Sequence, residues 1–174
     1  MKPFQNNLKV LSRNAPHIAG QIKKTVVPKE IQVVMAKTGL PVLKNHIALH
    51  SLMDPEKEAG NWAHRAEISE AVKAGKKIAV FGFGMGYHIK ALLDLGCPSV
   101  IVIEPDPAVL RVAFECIDFS TYLEKITFIS GREETSDLAD LYLILHQPTV
   151  RLHKDMYVVW KNDSKRKRKD NERF

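Results

Sequence analysis

The sequence is poor in the residues that build covalent or membrane-spanning structure. Only two cysteines occur in 174 residues, Cys97 and Cys116, and they show neither CxxC nor metal-ligand spacing. They read as reduced packing residues of a cytoplasmic protein, one starting a turn and the other closing a helix. No run of about 18 apolar residues exists, so no membrane span is expected. The opening stretch MKPFQNNLKVLSRN lacks the continuous apolar segment of a signal peptide. There is no Walker loop (no GK[ST]), no nucleophile elbow and no zinc-finger spacing. His46, His50 and His64 have no i, i+4 partner with an acid, so no metal site is predicted. Basic charge is scarce away from one end. Of the net +6, residues 161–174 carry a surplus of four, with seven Lys/Arg against three Asp/Glu. A basic face across the fold is therefore not expected. The run Lys165–Lys169 has no interleaved aromatics, which argues against nucleic acid and for a solvated, disordered tail.

What is present centres on Ile78–Pro107, IAVFGFGMGYHIKALLDLGCPSVIVIEPDP. Ile78–Phe81 has the length and apolarity of a buried strand. Gly82, Gly84 and Gly86 break it, and Ile89, Leu92 and Leu93 follow at helical spacing. Gly96 ends that helix. Val100–Ile103 is β-branched and apolar, which suits a parallel strand covered on both faces. The unit is βαβ. Glycines at such a turn let a ligand approach the main chain and the free N–H groups of the helix start. Glu104, 22 residues after Gly82, stands where an acid can hold a ribose diol. The alternative is that the glycines only permit close helix–strand packing and that Glu104 is a solvated strand end.

The flanking segments fit around this unit. Leu8–Ile22 is helical in part, with Pro16 opposing one continuous helix. Ile31–Ala36 is a strand, and Pro41–Leu43 with His46–Leu49 suggests a small meander. Asp54 can N-cap a helix with Pro55 at its first position. Gly60 weakens that helix, Asn61 could restart it, and Gly75 ends the element. Asp106 and Pro107 repeat the cap-plus-proline signature ahead of a helix over Pro107–Ile117. Ile126–Ile129 is a third strand, Arg132–Leu138 a short helix, and Leu141–Leu145 a fourth strand, since Pro148 opposes helix continuation. Met156, Val159 and Trp160 suggest a last short helix.

The fold class is therefore α/β, a Rossmann-like, mainly parallel sheet with a methyltransferase-like pattern and a small N-terminal α+β subdomain. The expected division is 1–53 for the subdomain, 54–160 for the Rossmann-like domain and 161–174 for the tail. Ligands in open α/β sheets bind along the carboxyl edge. That edge would gather Gly82–His88, Glu104–Asp106, Ser130–Glu134 and His146–Pro148. The candidate ligand-binding residues are Gly82, Phe83, Gly84, Met85, Gly86, Tyr87, His88, Glu104, Asp106, Gly131 and His146. Backbone N–H groups of Gly84–Tyr87 would receive a phosphate or carboxylate. His88 could bind a phosphate or transfer a proton, or be a plain helix N-terminal residue. The SGREE loop could contact a base or be a helix's charged first turn. No catalytic residue is singled out.

Two families share these features. GxGxG with an acid after the second strand is the general pattern of S-adenosylmethionine methyltransferases. Those enzymes usually carry an acid two residues before the first glycine, where this chain has Val80. A closer likeness runs through LHSLMDPEKEA (Leu49–Ala59), VFGFGMGYHIKALL (Val80–Leu93), VIEPDP (Val102–Pro107) and AKTGLPVLK (Ala36–Lys44). In these the chain resembles the amino-terminal portion of the motility accessory factor (Maf) family, bacterial proteins linked to flagellin glycosylation with nonulosonic, sialic-like acids. The resemblance implies a Rossmann-like domain with Gly82, Gly84, Gly86, His88, Glu104 and Asp106 lining a site. It implies a nucleotide-sugar ligand, CMP- or UDP-type, and flagellin or a flagellar glycosylation partner. It also implies a longer protein, so the chain is not expected to act as a transferase alone.

Overall fold

The structure is a computed structural model and describes residues 2–129 and 141–171, with side chains through residue 162. Two helices open the chain, α1 (Pro3–Asn14) and α2 (Pro16–Lys24). Pro16 has no N–H with which to continue α1 and fits the first position of α2, so the break falls at Ala15. Three short strands follow, β1 (Ile31–Met35), β2 (Pro41–Asn45) and β3 (Ile47–Ala48), paired antiparallel in that order. This is the expected meander.

Helix α3 (Pro55–Ala63) starts where the cap signature put it: the Asp54 carboxylate accepts the Lys57 N–H at 2.9 Å. The predicted weak point at Gly60 is carried through instead. A glycine costs a helix about 1 kcal/mol, and the burial of Ala59 and Ala63 on either side outweighs it. The break comes at His64–Arg65, ahead of α4 (Ala66–Lys73).

The central sheet holds β4 (Ile78–Phe81), β5 (Val100–Ile103), β6 (Ile126–Ile129) and β7 (Tyr142–Leu145). Its order is β6-β5-β4-β7, with every pairing parallel. The order reverses at β4: β5 and β6 step away on one side and β7 returns to the other. Helices α5 (Tyr87–Asp94) and α6 (Pro107–Cys116) make the first two crossovers. A 3-10 turn, Leu123–Lys125, leads into β6. After β7 come α7 (Gln147–Leu152) and α8 (Lys154–Asn171). Helix α8 runs on to Asn171, into the stretch expected as a tail from residue 161. Lys and Arg are good helix formers and carry no breaker signal here. The predicted helix over Arg132–Leu138 and the SGREE loop lie outside the described residues. No helix of the described residues is long and apolar enough to cross a membrane.

Strand residues alternate between two cores. Ile78, Val80, Val100, Val102, Ile126 and Phe128 face the larger one, which also takes in Leu11, Ile18, Ile22, Leu43 and Leu49 from the first segment. The small antiparallel sheet thus has its own pairing but shares the main hydrophobic core. Within it Phe83, Phe114, Phe119 and Phe128 meet edge to face, with ring centres 5.2–6.0 Å apart. Ala79, Phe81, Ile103 and Ile129 face the smaller core, closed by Trp160 and Tyr157 of α8.

One polar side chain ties the first helix to the domain. Asn7 is fully buried, and its amide donates to the carbonyls of Phe114 (3.0 Å) and Ile117 (2.7 Å). Its carbonyl accepts the Phe119 N–H at 2.7 Å. Asn7→Ala strands three buried backbone groups. It is expected to lower stability by about 2–4 kcal/mol, read as a shifted urea midpoint with an unchanged denaturant slope.

Candidate functional site

The glycine loop is built inward. Residues Val80 to Ile89 are all buried, and the loop's donors are taken by the protein itself. The Phe83 N–H donates to Glu104 Oε2 at 2.6 Å, and the Met85 N–H to His50 Nε2 at 3.0 Å. The Gly86 N–H closes a turn onto the Phe83 carbonyl at 2.7 Å. The expected anion cradle is therefore already filled by the Glu104 carboxyl group, whose other oxygen accepts the Asp106 N–H at 3.1 Å. Glu104 is 1% exposed. It is neither a solvated strand end nor open to a ribose in this conformation. Asp106 instead caps α6, accepting the Ala108 N–H at 2.9 Å.

The glycines answer to packing as well. Gly84 adopts φ +53°, and a Cβ there would lie 2.7 Å from His50 Nε2. Tyr87 is buried and donates its hydroxyl to the Pro41 carbonyl at 2.8 Å, fastening β2 to the loop. Burial pushes the Tyr87 phenol up to about 12. Phe83 and Met85 belong to the core. Gly131 lies outside the described residues.

What opens to solvent is a cleft of about 530 Å³ beside this loop. His88, in the first turn after β4, and Leu145–Pro148, after β7, form one wall. Helix α3 with the segments on either side of it forms the other, through His50, Lys57, Glu58, Asn61, Trp62 and Arg65. The cleft sits at the carboxyl ends of β4 and β7, the place where the strand order reverses. Open α/β sheets hold their ligands at such a point.

Three histidines form its floor, 5%, 3% and 7% exposed at His50, His88 and His146. The His88 and His146 rings stack with centres 4.4 Å apart, and His50 lies 4.9 Å from His146 and 5.4 Å from His88. Burial lowers all three imidazoles, His88 to about 3, and for His88 and His146 the neighbouring imidazoles add to that. The rings are neutral at pH 7. Partners set the tautomers. His88 Nε2 lies 3.0 Å from the Gly82 carbonyl and so carries the proton. His50 Nε2 accepts from Met85, which leaves its proton on Nδ1, 3.6 Å from Glu58 Oε2. His146 Nδ1 lies 2.8 Å from Thr149 Oγ1. Glu58 is nearly half exposed, yet its carboxyl is held below the usual carboxylate pKa range. Partial burial opposes this, and hydrogen bonding to His50 and the Ser51 N–H (2.8 Å) overcomes it.

Of the candidates named from sequence, the cleft uses His88 and His146. The glycines, Phe83, Met85, Tyr87 and Glu104 support it from behind. Sequence reasoning missed His50, Lys57, Glu58, Trp62 and Arg65. A signal existed for two of them: His50 and Glu58 lie in the LHSLMDPEKEA stretch that carries the family likeness. Nothing in the spacing shows that His50 approaches His88 and His146.

The fold and the cleft define a class, a Rossmann-like module with a histidine-floored cleft at its switch point. A family model described as "Glycosyltransferase Maf N-terminal domain" matches residues 45–163, a span that contains every residue of that cleft. The chain belongs to this family. Among solved structures it is similar to the MAf glycosyltransferase from Magnetospirillum magneticum AMB-1, at 13% identity and a TM-score of 0.55. That alignment covers 82% of this chain and 27% of the other, so the chain spans about a quarter of that protein's length. No curated protein matches the chain.

Two outcomes are expected at the loop. Burial pushes the Glu104 carboxyl up to about 7, although its backbone N–H partners pull the other way. The folded protein then holds a proton that the unfolded chain releases near 4.5. The Glu104 contribution is full below that pH and is lost as pH rises through 7, by on the order of 3 kcal/mol. The buried neutral histidines act in the opposite sense, because unfolding lets them protonate below pH 6.5. The measurement is therefore the difference between denaturation curves: wild type should lose stability relative to Glu104→Gln as pH rises from 4.5 to 7.5. Gly84→Ala meets both a left-handed backbone and the His50 ring. It should cost at least about 2 kcal/mol in urea unfolding.

Proposed function

We propose that this chain is the nucleotide-derivative-binding amino-terminal module of a glycosyltransferase that transfers a nonulosonic acid to flagellin. The ligand occupies the cleft between α3 and the β4–β7 edge and not the glycine loop. The observation that carries this reading is the composition of the cleft at the switch point. Lys57 and Arg65 stand on its outer wall, suited to the phosphate of a CMP- or UDP-type donor. Trp62 is half-buried, with its ring edge-on to His88 at 5.2 Å, and offers a surface for a base or sugar. Asn61 and Gln147 add amide groups that can both donate and accept. Glu104 and the glycines hold the wall in shape and do not touch the ligand. Transfer itself belongs to the remainder of a longer protein, and flagellin or a flagellar glycosylation partner is its acceptor. A cytoplasmic location belongs to the same reading.

Calorimetric titration with CMP, CDP, UDP and S-adenosylmethionine tests it. A pyrimidine nucleotide should bind, and Arg65→Ala and Lys57→Ala should each weaken it about tenfold, the worth of one charge-assisted hydrogen bond. Binding of none of the four overturns the reading. Selective binding of S-adenosylmethionine replaces it with a methyltransferase.

A further inference from the structure

The three histidines are not needed to hold a nucleotide, and their arrangement asks for its own account. Each offers one ring nitrogen, and these three atoms lie within 4.8 Å of one another. His88 Nδ1 is the telling atom. It is buried and has no hydrogen-bond partner, while Nε2 of the same ring is held by the Gly82 carbonyl. A buried lone pair left unmatched costs about 1–3 kcal/mol. A phenylalanine would fill the same space without that cost.

We propose that His50, His88 and His146 bind one divalent transition-metal ion of the zinc class, with a further coordination position open to the cleft. Each ring already has an oxygen near its second nitrogen: Glu58 Oε2 at 3.6 Å from His50, the Gly82 carbonyl at 3.0 Å from His88 and Thr149 Oγ1 at 2.8 Å from His146. Metal-ligating histidines are oriented in this way, and a carboxylate on the outer nitrogen raises the ring's strength as a ligand. Imidazole donors suit zinc and its neighbours and not magnesium or calcium. Three protein ligands beside an open cleft match metal sites that bind a substrate, in contrast to closed structural ones. Tetrahedral bonds of about 2.0–2.1 Å set the nitrogens about 3.3 Å apart, so the rings must close in from a spacing of up to 4.8 Å, and the His88 and His146 rings, stacked 8° from parallel, must turn so that both in-plane lone pairs meet one ion. His50 then gives up the Met85 N–H, and His146 gives up its contact with the Leu49 carbonyl. The proposal does not depend on the nucleotide reading, because its readout is the metal alone.

The test uses the full chain, free of any affinity tag and stripped of metal. Zinc chloride is titrated calorimetrically, and cobalt(II) is followed by its visible absorption. One equivalent should bind, cobalt should give the intense bands of a four-coordinate site, and the melting temperature should rise with added zinc. His88→Gln should weaken binding at least about 100-fold and abolish the cobalt bands. Because His88 is buried, Glu58→Gln on the exposed side gives a second arm that leaves the core intact. It should weaken zinc about 10–100-fold, the usual cost of losing an outer partner. Absence of saturable binding to the wild type overturns the proposal. Equal binding by wild type and both variants does so as well, since the ion would then sit elsewhere.

Discussion

A buried carboxylate, that of Glu104, sets the shape of the loop on which the cleft rests. Its two oxygens hold the Phe83 and Asp106 N–H groups, so one side chain joins the ends of β4 and β5. The backbone groups that a nucleotide phosphate would otherwise meet are matched from within. With the loop fixed, Gly84 can lie against His50, Tyr87 can reach β2, and the Phe83 ring can enter the aromatic cluster. The buried acid is costly where it stands, and three further attachments rest on it.

The topology does the remaining work. Because β7 pairs beside β4 and not beyond β6, the residue after β7 comes to rest against the first turn of α5. Helix α3 closes the third side, with Trp62 edge-on to His88. The cleft is therefore made by three segments that are remote in sequence, and no single βαβ unit contains it. The Maf N-terminal family match spans all three.

The contrast between what could and could not be read from the sequence follows from this. Features set by neighbours in the chain were legible: the caps at Asp54 and Asp106, the proline breaks, the meander, and the four strands with their parallel class. The glycine loop was legible as a loop, but not in its contacts. Glycine spacing says that something comes close to the backbone, and in this structure His50, Thr149 and Phe119 do, with Glu104 as acceptor. Glu104 read as a ribose acid because its position after β5 is the same in either role. The spacing around His50 carries no sign of the cluster, because its two companions arrive from other elements. Gly60 misled because local propensity was outweighed by the burial of its neighbours.

The parallel seating of β7 on β4 also orders the molecule in time. The pairing of Ile78 with Tyr142 closes a long loop, and long-range parallel pairing of this kind is slow to form. The anchoring acid and the aromatic cluster draw only on residues that precede it. Until β7 docks, His146 has nowhere to stand and the cleft has one wall. The histidine-floored cleft is thus complete only once the last strand has joined the sheet.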